Sequence, residues 1–365
     1  MRTILLTSVL ACGTACAQTA AVAPADGWTV YSDLAVWQAS DAVPIDQLDG
    51  DWSTYSPRAG RNTALMRNRV AAGVEKNRWR LGLEWRQDAR LSTDRESLDA
   101  FYLYQQRREP APPASFALHG QYFSWQALGL RGGYTFDGPR IGGRTSSIAL
   151  SAAVYGRQQL RERSIDGVLN YPRAGSYGFA ASHVDTNSRM RYPFMGDAPS
   201  ASGASLSLAA ALPLSDAWKL HLQADDFASR LRWKNLPVNT ESLRSEVTSF
   251  DENGYVNFGP MLSGRKRQVD RSVRIPRYTA AALDYWNGNW GTGMQLVRYA
   301  GETVPTFSLS RRIGPLTLRA NVETRFDSAG LSVEAGNFRL MLQADAIKLD
   351  EAKARSLQLH YHVEF

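Results

Sequence analysis

The last ten residues of the chain constrain its fold more than any other stretch. From Ser356 they read Ser-Leu-Gln-Leu-His-Tyr-His-Val-Glu-Phe, so polar and apolar residues alternate up to the final position. Successive side chains of a β-strand point to opposite faces. The pattern therefore predicts a strand with one wholly polar face and one wholly apolar face. The apolar face consists of Leu357, Leu359, Tyr361, Val363 and Phe365.

Similar alternation recurs along most of the chain and predicts an all-β fold. The clearest segments are 78–90, 204–212, 218–225, 316–326 and 338–346, and weaker ones are 28–37, 63–75, 98–107, 114–123, 127–136, 145–157, 277–286, 290–300, 305–313 and 330–335. With the final strand these make about sixteen antiparallel strands, and about fourteen is the alternative count. No segment beyond the N-terminus has the ~18 uninterrupted apolar residues that a membrane-spanning helix needs.

A final strand that ends on an aromatic residue resembles the closing strand of Gram-negative outer-membrane β-barrel proteins. The resemblance is to this porin-like class and not to one family. It implies a single transmembrane antiparallel barrel in the cell outer membrane, in contact with lipid and lipopolysaccharide. It also implies that the barrel-assembly machinery reads the strand ending at Phe365 as a membrane-insertion signal. The alternative is a soluble β-sandwich, in which the apolar faces would pack against each other.

The connections between the predicted strands form two alternating sets. The short set comprises 76–77, 108–113, 137–143, 213–216, 287–289, 314–315 and 336–337, and the long set includes 38–62, 158–203 and 228–276. Short periplasmic turns opposite long extracellular loops are the known asymmetry of membrane barrels. Trp79, Trp286 and Trp290 adjoin short turns, which predicts an aromatic girdle at that membrane interface.

The beginning of the chain predicts an export signal. A positive start and an apolar run over 4–11 precede Ala15-Cys16-Ala17, which fits a small-x-small cleavage site. Residues 1–17 are therefore predicted to be a signal peptide, and residues 18–365 to be the barrel. The alternative is a lipoprotein signal in which Cys12 is lipidated. Both cysteines of the chain lie in this segment, so cleavage would leave no thiol for a disulfide.

The polar faces of the predicted strands carry many charges, and in a barrel those faces line the lumen. The chain has a formal net charge of +7, and its cations are mostly arginines. We interpret the lumen as a conduit for small polar solutes, anionic or saccharide in particular. The alternative is that pairs of arginine and carboxylate brace the wall. The predicted lumen-lining residues are Arg67, Arg69, Arg78, Arg80, Glu84, Arg86, Arg319, Glu323, Arg325, Arg339 and Asp345.

The two longest predicted loops, 158–203 and 228–276, are long enough to have a function of their own. They are predicted to gate or filter the lumen, and one alternative is that 228–276 is a solvated, variable outer loop. Alternatively, the basic group Arg265-Lys266-Arg267 would face the phosphates of lipopolysaccharide. An outer-membrane location disfavours nucleic acid as a partner.

Two groups of residues have the composition of a catalytic or metal site. Ser182-His183 with Asp185 has the residue types of a hydrolase triad, but adjacency along the chain is not triad geometry. His360, His362 and Glu364 alternate on one strand face, a spacing that can hold a metal. We interpret both groups as ordinary polar residues and predict no catalytic residue, no metal and no cofactor.

The sequence leaves two further functions open beside the channel. Enzymes occur among outer-membrane barrels, so one alternative is an enzyme that acts on lipid or lipopolysaccharide. The other is a barrel that serves surface assembly, or the export of a partner or polysaccharide. No feature of the sequence indicates an oligomeric state.

Overall fold

The computed structural model describes residues 27–48, 50, 52–245, 248–250, 252, 256–258 and 261–365. The predicted signal peptide, residues 1–17, lies outside them and stays a prediction. The described part forms β-strands, one α-helix and a 3-10 turn. The elements are β1 (Thr29–Ser40), the 3-10 turn (Ile45–Gln47), β2 (Arg61–Lys76), β3 (Trp79–Asp94), α1 (Arg95–Gln105), β4 (Ala114–Ile141), β5 (Arg144–Arg173), β6 (Ser176–Asn187), β7 (Ser200–Pro213), β8 (Trp218–Arg244), β9 (Thr248–Phe250), β10 (Val256–Phe258), β11 (Leu262–Val273), β12 (Tyr278–Asn287), β13 (Trp290–Tyr299), β14 (Glu302–Ile313), β15 (Leu316–Glu323), β16 (Ser328–Ala335), β17 (Phe338–Ala344) and β18 (Ala354–Glu364).

Fourteen of these strands close into one antiparallel barrel. Around the ring they run from β1 to β5, then β7 and β8, then β12 to β18. β18 pairs back with β1, from Thr29 opposite Glu364 to Ala39 opposite Ala354, and this pairing closes the ring. β6 and β11 attach outside the ring to the extended parts of β5 and β8, while β9 and β10 pair with each other. The predicted all-β barrel is confirmed, with the alternative count of fourteen.

The apolar faces of the barrel strands point outward. Leu83 and Leu331 are 57% and 70% exposed, whereas Glu84 and Asn321, one position away from an outward residue, are buried. A band of exposed apolar side chains around a closed sheet is the surface that lipid tails cover in a membrane barrel. The soluble-sandwich alternative is wrong, because the apolar faces point away from one another.

The two ends of the barrel differ in their connections. At the end that we call the short-turn end, β1 begins, β18 ends and the turns are tight; the opposite end is the long-loop end. Trp79 and Trp290 are exposed at the short-turn end, where the girdle was expected. Trp286 instead points into the barrel. Its ring lies over Gly291, and the guanidinium of Arg312 lies 3.8 Å from the centre of that ring.

The segment 98–107 is helical and not the predicted strand. α1 begins after Asp94, whose carboxylate accepts a hydrogen bond from the backbone N–H of Ser97 at 2.7 Å; this is a standard N-terminal cap. Leu98 is buried against Trp52 of the loop between β1 and β2. Apolar residues that recur at alternate positions also recur at helical spacing in so short a run, so periodicity alone does not separate the two. Among the described residues, no helix is long and apolar enough to cross a membrane.

Much of the two predicted long loops is strand. In 158–203, β5 continues to Arg173 and β6 returns beside it; in 228–276, β8 continues to Arg244 and β11 returns beside it. The segment 108–113, predicted to be a short periplasmic turn, connects α1 to β4 at the long-loop end.

Two β-bulges explain why alternation did not reveal these extensions. Arg157 in β5 and Asn235 in β8 have positive φ angles of 44° and 53°, and at both places the strand register shifts by one residue. A bulge adds one residue to a strand and so exchanges the faces of all later residues. A pattern followed past either residue therefore loses its phase.

Leu331→Arg tests the position of the lipid-facing band. Leu331 lies midway along β16 on the outer face, where an arginine would sit among lipid tails. We expect it to lower the free energy of unfolding by about 2–4 kcal/mol, measured by urea titration of protein folded in phospholipid vesicles. Ser332→Arg, which faces inward, is the control and should cost clearly less. Equal losses in the two variants would contradict the assignment of faces.

Candidate functional site: the interior of the barrel

A layer of buried ion pairs lies across the interior of the barrel, about halfway along β3. We call it the ion layer. Four arginines and four carboxylates form it, so their formal charges cancel. Its members are Arg67, Arg69, Arg86, Arg131, Glu84, Asp88, Asp225 and Asp226.

Arg86 is the centre of one half of the ion layer and is 1% exposed. One of its terminal nitrogens donates to both carboxylate oxygens of Asp226, at 2.9 and 2.8 Å. The other donates to Asp88 at 2.9 Å. Arg86 also donates to the hydroxyl of Tyr155 at 3.2 Å, and that hydroxyl donates to Glu84 at 3.1 Å. Such charge-assisted, multidentate contacts fix the guanidinium in one place.

Asp225 and Glu84 hold the other half of the ion layer. Asp225 accepts a hydrogen bond from Arg67 at 2.5 Å and lies 3.3 Å from Arg69. Glu84 lies 2.6 Å from Nε of Arg131 and 3.6 Å from Nε of Arg69. Arg69 therefore joins the two carboxylates.

The contacts of the ion layer cross the barrel. Arg67 lies on β2 and Asp225 on β8. Tyr299 of β13 donates to Asp88 of β3 at 2.9 Å, and these strands lie six positions apart in the ring, close to diametrically opposite. Trp37 of β1 packs edge-on against Tyr299, with ring centroids 5.8 Å apart. These side chains close the interior at this level.

A second, larger bulge in β8, around Asp226, makes part of this arrangement possible. Leu206 pairs with Ala228 and Leu208 with Ala224, so residues 225–227 lie opposite Ser207 alone. Asp225 and Asp226 are consecutive, yet both are buried inside the barrel. The backbone N–H of Asp226 donates to the hydroxyl of Ser207 at 3.2 Å, which fixes the bulge.

On the long-loop side of the ion layer, apolar side chains fill the interior. Two clusters of buried residues occupy it, and both are rich in aromatic rings. The first apolar cluster contains Phe123, Trp125, Ala127, Ala153, Tyr155, Leu160, Leu231, Trp233, Leu236, Val273 and Ile275. The second apolar cluster contains Ala39, Leu65, Tyr278, Ala280, Val297, Tyr299, Val304, Phe326 and Ala354, with Trp37 packed against it.

A second set of ion pairs lies at the long-loop rim. Arg325, in the turn between β15 and β16, binds both oxygens of Asp41 at 2.6 and 2.9 Å and binds Glu302 at 3.0 Å. Glu302 also pairs with Arg61 at the start of β2. The loop that begins at Asp41 is therefore tied to the turn between β15 and β16, three to four strands away around the ring.

The same loop packs on α1. The ring of Tyr55 stacks on Tyr102 with centroids 4.5 Å apart, and its hydroxyl donates to Asp99 at 2.7 Å. Burial raises the pKa of the Tyr55 phenol, and the hydrogen bond to the Asp99 carboxylate raises it further. Tyr55 therefore stays neutral and keeps this bond at physiological pH.

On the short-turn side of the ion layer, the inward residues are more exposed. We call this space the vestibule. Asp33 and Arg80, whose side chains are 24% and 25% exposed, form an ion pair, and His360 lies 2.5 Å from Asp33. Arg319 pairs with Asp284 at 3.2 Å on the other wall. The interior thus changes from packed and apolar at the long-loop end to polar and partly exposed at the short-turn end.

The predicted lumen-lining residues divide among these regions. Arg67, Arg69, Glu84 and Arg86 belong to the ion layer, while Arg80, Arg319 and Arg339 face the vestibule, where Arg339 pairs with Glu334. Glu323 is buried at the end of β15 and accepts backbone hydrogen bonds from Arg325 and Phe326.

Three of the predicted residues do not line the interior. Arg78 lies in the turn between β2 and β3 and pairs with Asp137 at 2.8 Å. Arg325 lies in the long-loop rim. Asp345 follows β17 and accepts hydrogen bonds from the backbone N–H groups of Lys353 and Ala354, so it shapes a loop. The strands end before Arg325 and Asp345, and alternation does not mark where a strand ends.

The prediction of an anion- or sugar-selective lumen is wrong. The arginines of the ion layer face an equal number of carboxylates, so they leave no excess positive charge to attract an anion. Sugars need a wet, polar path, whereas the space between the ion layer and the long-loop rim is packed with apolar rings.

Sequence reasoning did not single out several residues of the ion layer and its surroundings. Asp225 lay on the polar face of a predicted strand, so alternation contained a signal for it. Asp226 gave none, because its inward position depends on the bulge. Tyr299, which is fully buried, lay in a predicted strand. Its contact with Asp88 could not be predicted, because it depends on how many strands form the barrel.

The two groups with catalytic or metal-binding composition have other roles. His183 contacts Glu241 at 3.0 Å, while Asp185 contacts Arg161 and Arg163 at 3.1 Å each. Ser182 and His183 are consecutive in β6, so their side chains leave the strand on opposite faces. They therefore form no triad.

His360 and His362 contact each other at 3.3 Å. Within the described residues, no cluster of three or more His, Cys, Asp or Glu side chains is arranged to hold a metal ion.

No family model and no curated protein matches the chain. Similar solved structures include the P. putida toluene transporter TodX, with 12% identity and a TM-score of 0.43 over 93% of this chain and 91% of that chain. They also include a Pseudomonas aeruginosa FadL homologue, with 11% identity and a TM-score of 0.38 over 92% and 86%. The Ralstonia pickettii toluene transporter TbuX has 10% identity and a TM-score of 0.27 over 93% and 90%. Likenesses with these TM-scores say nothing about the solute or activity of this chain.

Proposed function

We propose that this chain is an outer-membrane channel for small apolar molecules, and that the present structure is its closed state. The short-turn end would face the periplasm and the long-loop end the outside. The observation that carries the proposal is the interior itself: a lipid-facing barrel whose long-loop half is lined by aromatic and aliphatic side chains. A barrel that only bound water-soluble ligands at its rim would have no use for such a lining.

The lining favours apolar solutes for a physical reason. An apolar molecule loses little on leaving water for a space among Trp125, Trp233 and Phe123, and it gains contact with their rings. An ion or a sugar would lose its hydrogen bonds to water there, at a cost of several kcal/mol. The first and second apolar clusters would therefore select against polar solutes.

The ion layer would act as the gate of this path. It joins side chains from strands on opposite walls, and side chains move by rotation about single bonds without unfolding the barrel. The formal charges of the layer cancel. When the layer opens, its charged groups come into contact with the water of the vestibule, which can solvate them. A solute that passed the layer would then leave through the vestibule.

Uptake measurements test the proposal. The chain is expressed in a Gram-negative host that lacks its own porins and channels for apolar solutes, and uptake of radiolabelled toluene and maltose is compared. We expect faster entry of toluene, because it partitions into the apolar clusters, and unchanged entry of maltose. The same purified protein in liposomes separates transport from host effects. Unchanged toluene entry with the barrel folded in the membrane would contradict the proposal, as would a selective gain for maltose.

A further inference from the structure

The outer wall of the barrel carries a groove where β4 and β5 separate. Leu128 pairs with Gly156 and Gln126 pairs with Gln159, so Arg157 and Gln158 lie opposite Ala127 alone. Beside this bulge is a cavity of about 360 Å³ that opens on the lipid-facing surface. Its apolar lining includes Leu83, Leu128, Leu130, Val154 and the two glycines Gly129 and Gly156. We call it the apolar groove.

A second, polar cavity lies directly above the groove toward the long-loop end. It has a volume of about 260 Å³, and its lining includes Gln87, Tyr122, Gln126, Gln159, Arg161 and Arg189. We call it the polar pocket. Gln126 is two positions from Leu128 on the same face of β4, or about 7 Å along the strand. The change from apolar to polar surface therefore falls at the bulge, between the two cavities.

The rim of the two cavities has an excess of positive charge. Arg157 projects from the bulge and is exposed; it makes no ion pair with any residue that the structure describes. Arg161 and Arg163 share one carboxylate, that of Asp185, at 3.1 Å each. Arg189 donates to the neutral amide of Gln159. Four arginines thus face one carboxylate on this part of the wall.

We propose that this face of the barrel binds a phosphorylated glycolipid of the outer leaflet, of the lipid A type. One acyl chain would lie in the apolar groove, and a phosphate would bind Arg157 and Arg189. The sugar would lie against the amide and hydroxyl groups of the polar pocket. This inference rests on the membrane orientation given under the proposed function but not on transport, because both cavities are outside the barrel.

The order of the features along the wall matches such a lipid. In lipid A the acyl chains hang from sugars that also carry the phosphates, so the chains and the phosphorylated sugar follow one another along the membrane normal. The apolar groove and the polar pocket follow one another in the same order, with Arg157 at the groove and Arg189 in the pocket. Arginine binds phosphate through two parallel hydrogen bonds, which a lipid with a neutral or zwitterionic headgroup satisfies less well. The bulge supplies both halves of the site, since it opens the groove and projects Arg157.

Two variants separate the two halves of the site. Gly156→Leu fills the groove, and nothing lies within 4 Å of a Cβ placed there, so the barrel accommodates it. Arg157→Ala with Arg189→Ala removes the proposed phosphate ligands. Matched controls are Ala281→Leu, on the outer face of β12, and Arg311→Ala, at the short-turn end. Heat-dependent migration in detergent gels verifies that each variant is folded.

Native mass spectrometry of the detergent-solubilised protein with added bisphosphorylated lipid A measures binding. We expect one lipid A to bind, and each site variant to bind at least about tenfold more weakly, as the loss of charge-assisted contacts or of the buried chain would cause. The controls should bind as the wild type does. Phosphatidylethanolamine should not compete.

Three results would overturn the proposal. One is equal lipid A binding by the folded site variants and the controls. Another is equal binding of phosphatidylethanolamine, which would make the groove a general lipid contact. The third is a lipid-free dimer that Gly156→Leu dissociates, which would make this face a contact between two copies of the chain.

Discussion

Replacing Arg86 and Asp226 together by alanine is expected to turn a barrel that conducts few ions into one with a steady ionic conductance. The two side chains meet inside the ion layer, and both are at most 2% exposed. Removing both keeps the formal charge of the ion layer balanced, although Asp88 loses its arginine. It also deletes the contact that joins β3 to β8 across the interior. Arg86 also contacts Tyr155 and Trp125 of the first apolar cluster. Its removal therefore loosens that cluster as well, and water from the vestibule enters the space.

Single-channel recording in planar lipid bilayers measures this effect. The control is the double variant Arg339→Ala with Glu334→Ala, which removes an ion pair of the same kind between the neighbouring strands β16 and β17. That pair does not cross the barrel, so the control should conduct as the wild type does. If the folded Arg86/Asp226 double variant stays as silent as the wild type, the ion layer is not the barrier.

The single substitution Arg86→Ala should behave differently from the double variant. It leaves Asp226 and Asp88 buried without their cation, and such a loss costs about 3–5 kcal/mol. We therefore expect the double variant to be more stable than Arg86→Ala, although it lacks one more side chain. Urea titration in vesicles compares them.

Gly82→Val is expected to destabilise the barrel wall strongly. The rings and backbones of β1, β2 and β3 approach closely at this point. A Cβ at Gly82 would lie 2.2 Å from the hydroxyl of Tyr31 and 2.6 Å from the backbone oxygen of Ala72. Tyr31 is buried, and the guanidinium of Arg80 lies 3.6 Å from the centre of its ring. A larger residue would therefore displace Tyr31 and Arg80 together.

The expected loss is about 3 kcal/mol, the upper part of the range for overpacked sites, because one of the obstructing atoms is backbone and moves little. Urea titration and the folded fraction in detergent gels measure it. Gly132→Ala is the control: its nearest neighbour is the end of the Leu81 side chain, at 3.2 Å, which can rotate. Equal free energies of unfolding for the two variants would show that Tyr31 does not need the space that Gly82 leaves.

Local alternation was enough to predict most of the wall. The strand that ends at Phe365 and those around Leu83 and Leu318 put apolar residues on one face, and a sheet with a whole apolar face must hide it from water. A closed barrel in lipid meets that requirement, and the structure is a closed barrel with its apolar face outward. The helix α1 was missed because a run of ten residues is too short for period alone to distinguish helix from strand.

The interior was decided by the tertiary structure. The charged positions Arg67 and Arg86 could be read from the sequence, but their partners Asp225 and Asp226 could not be assigned, because those partners lie on a strand across the barrel. Which strands face each other depends on the number of strands in the ring and on bulges such as the one at Asp226. Alternation is a property of neighbours along the chain, whereas closure, pairing of buried charge and the polarity of the path depend on all strands together.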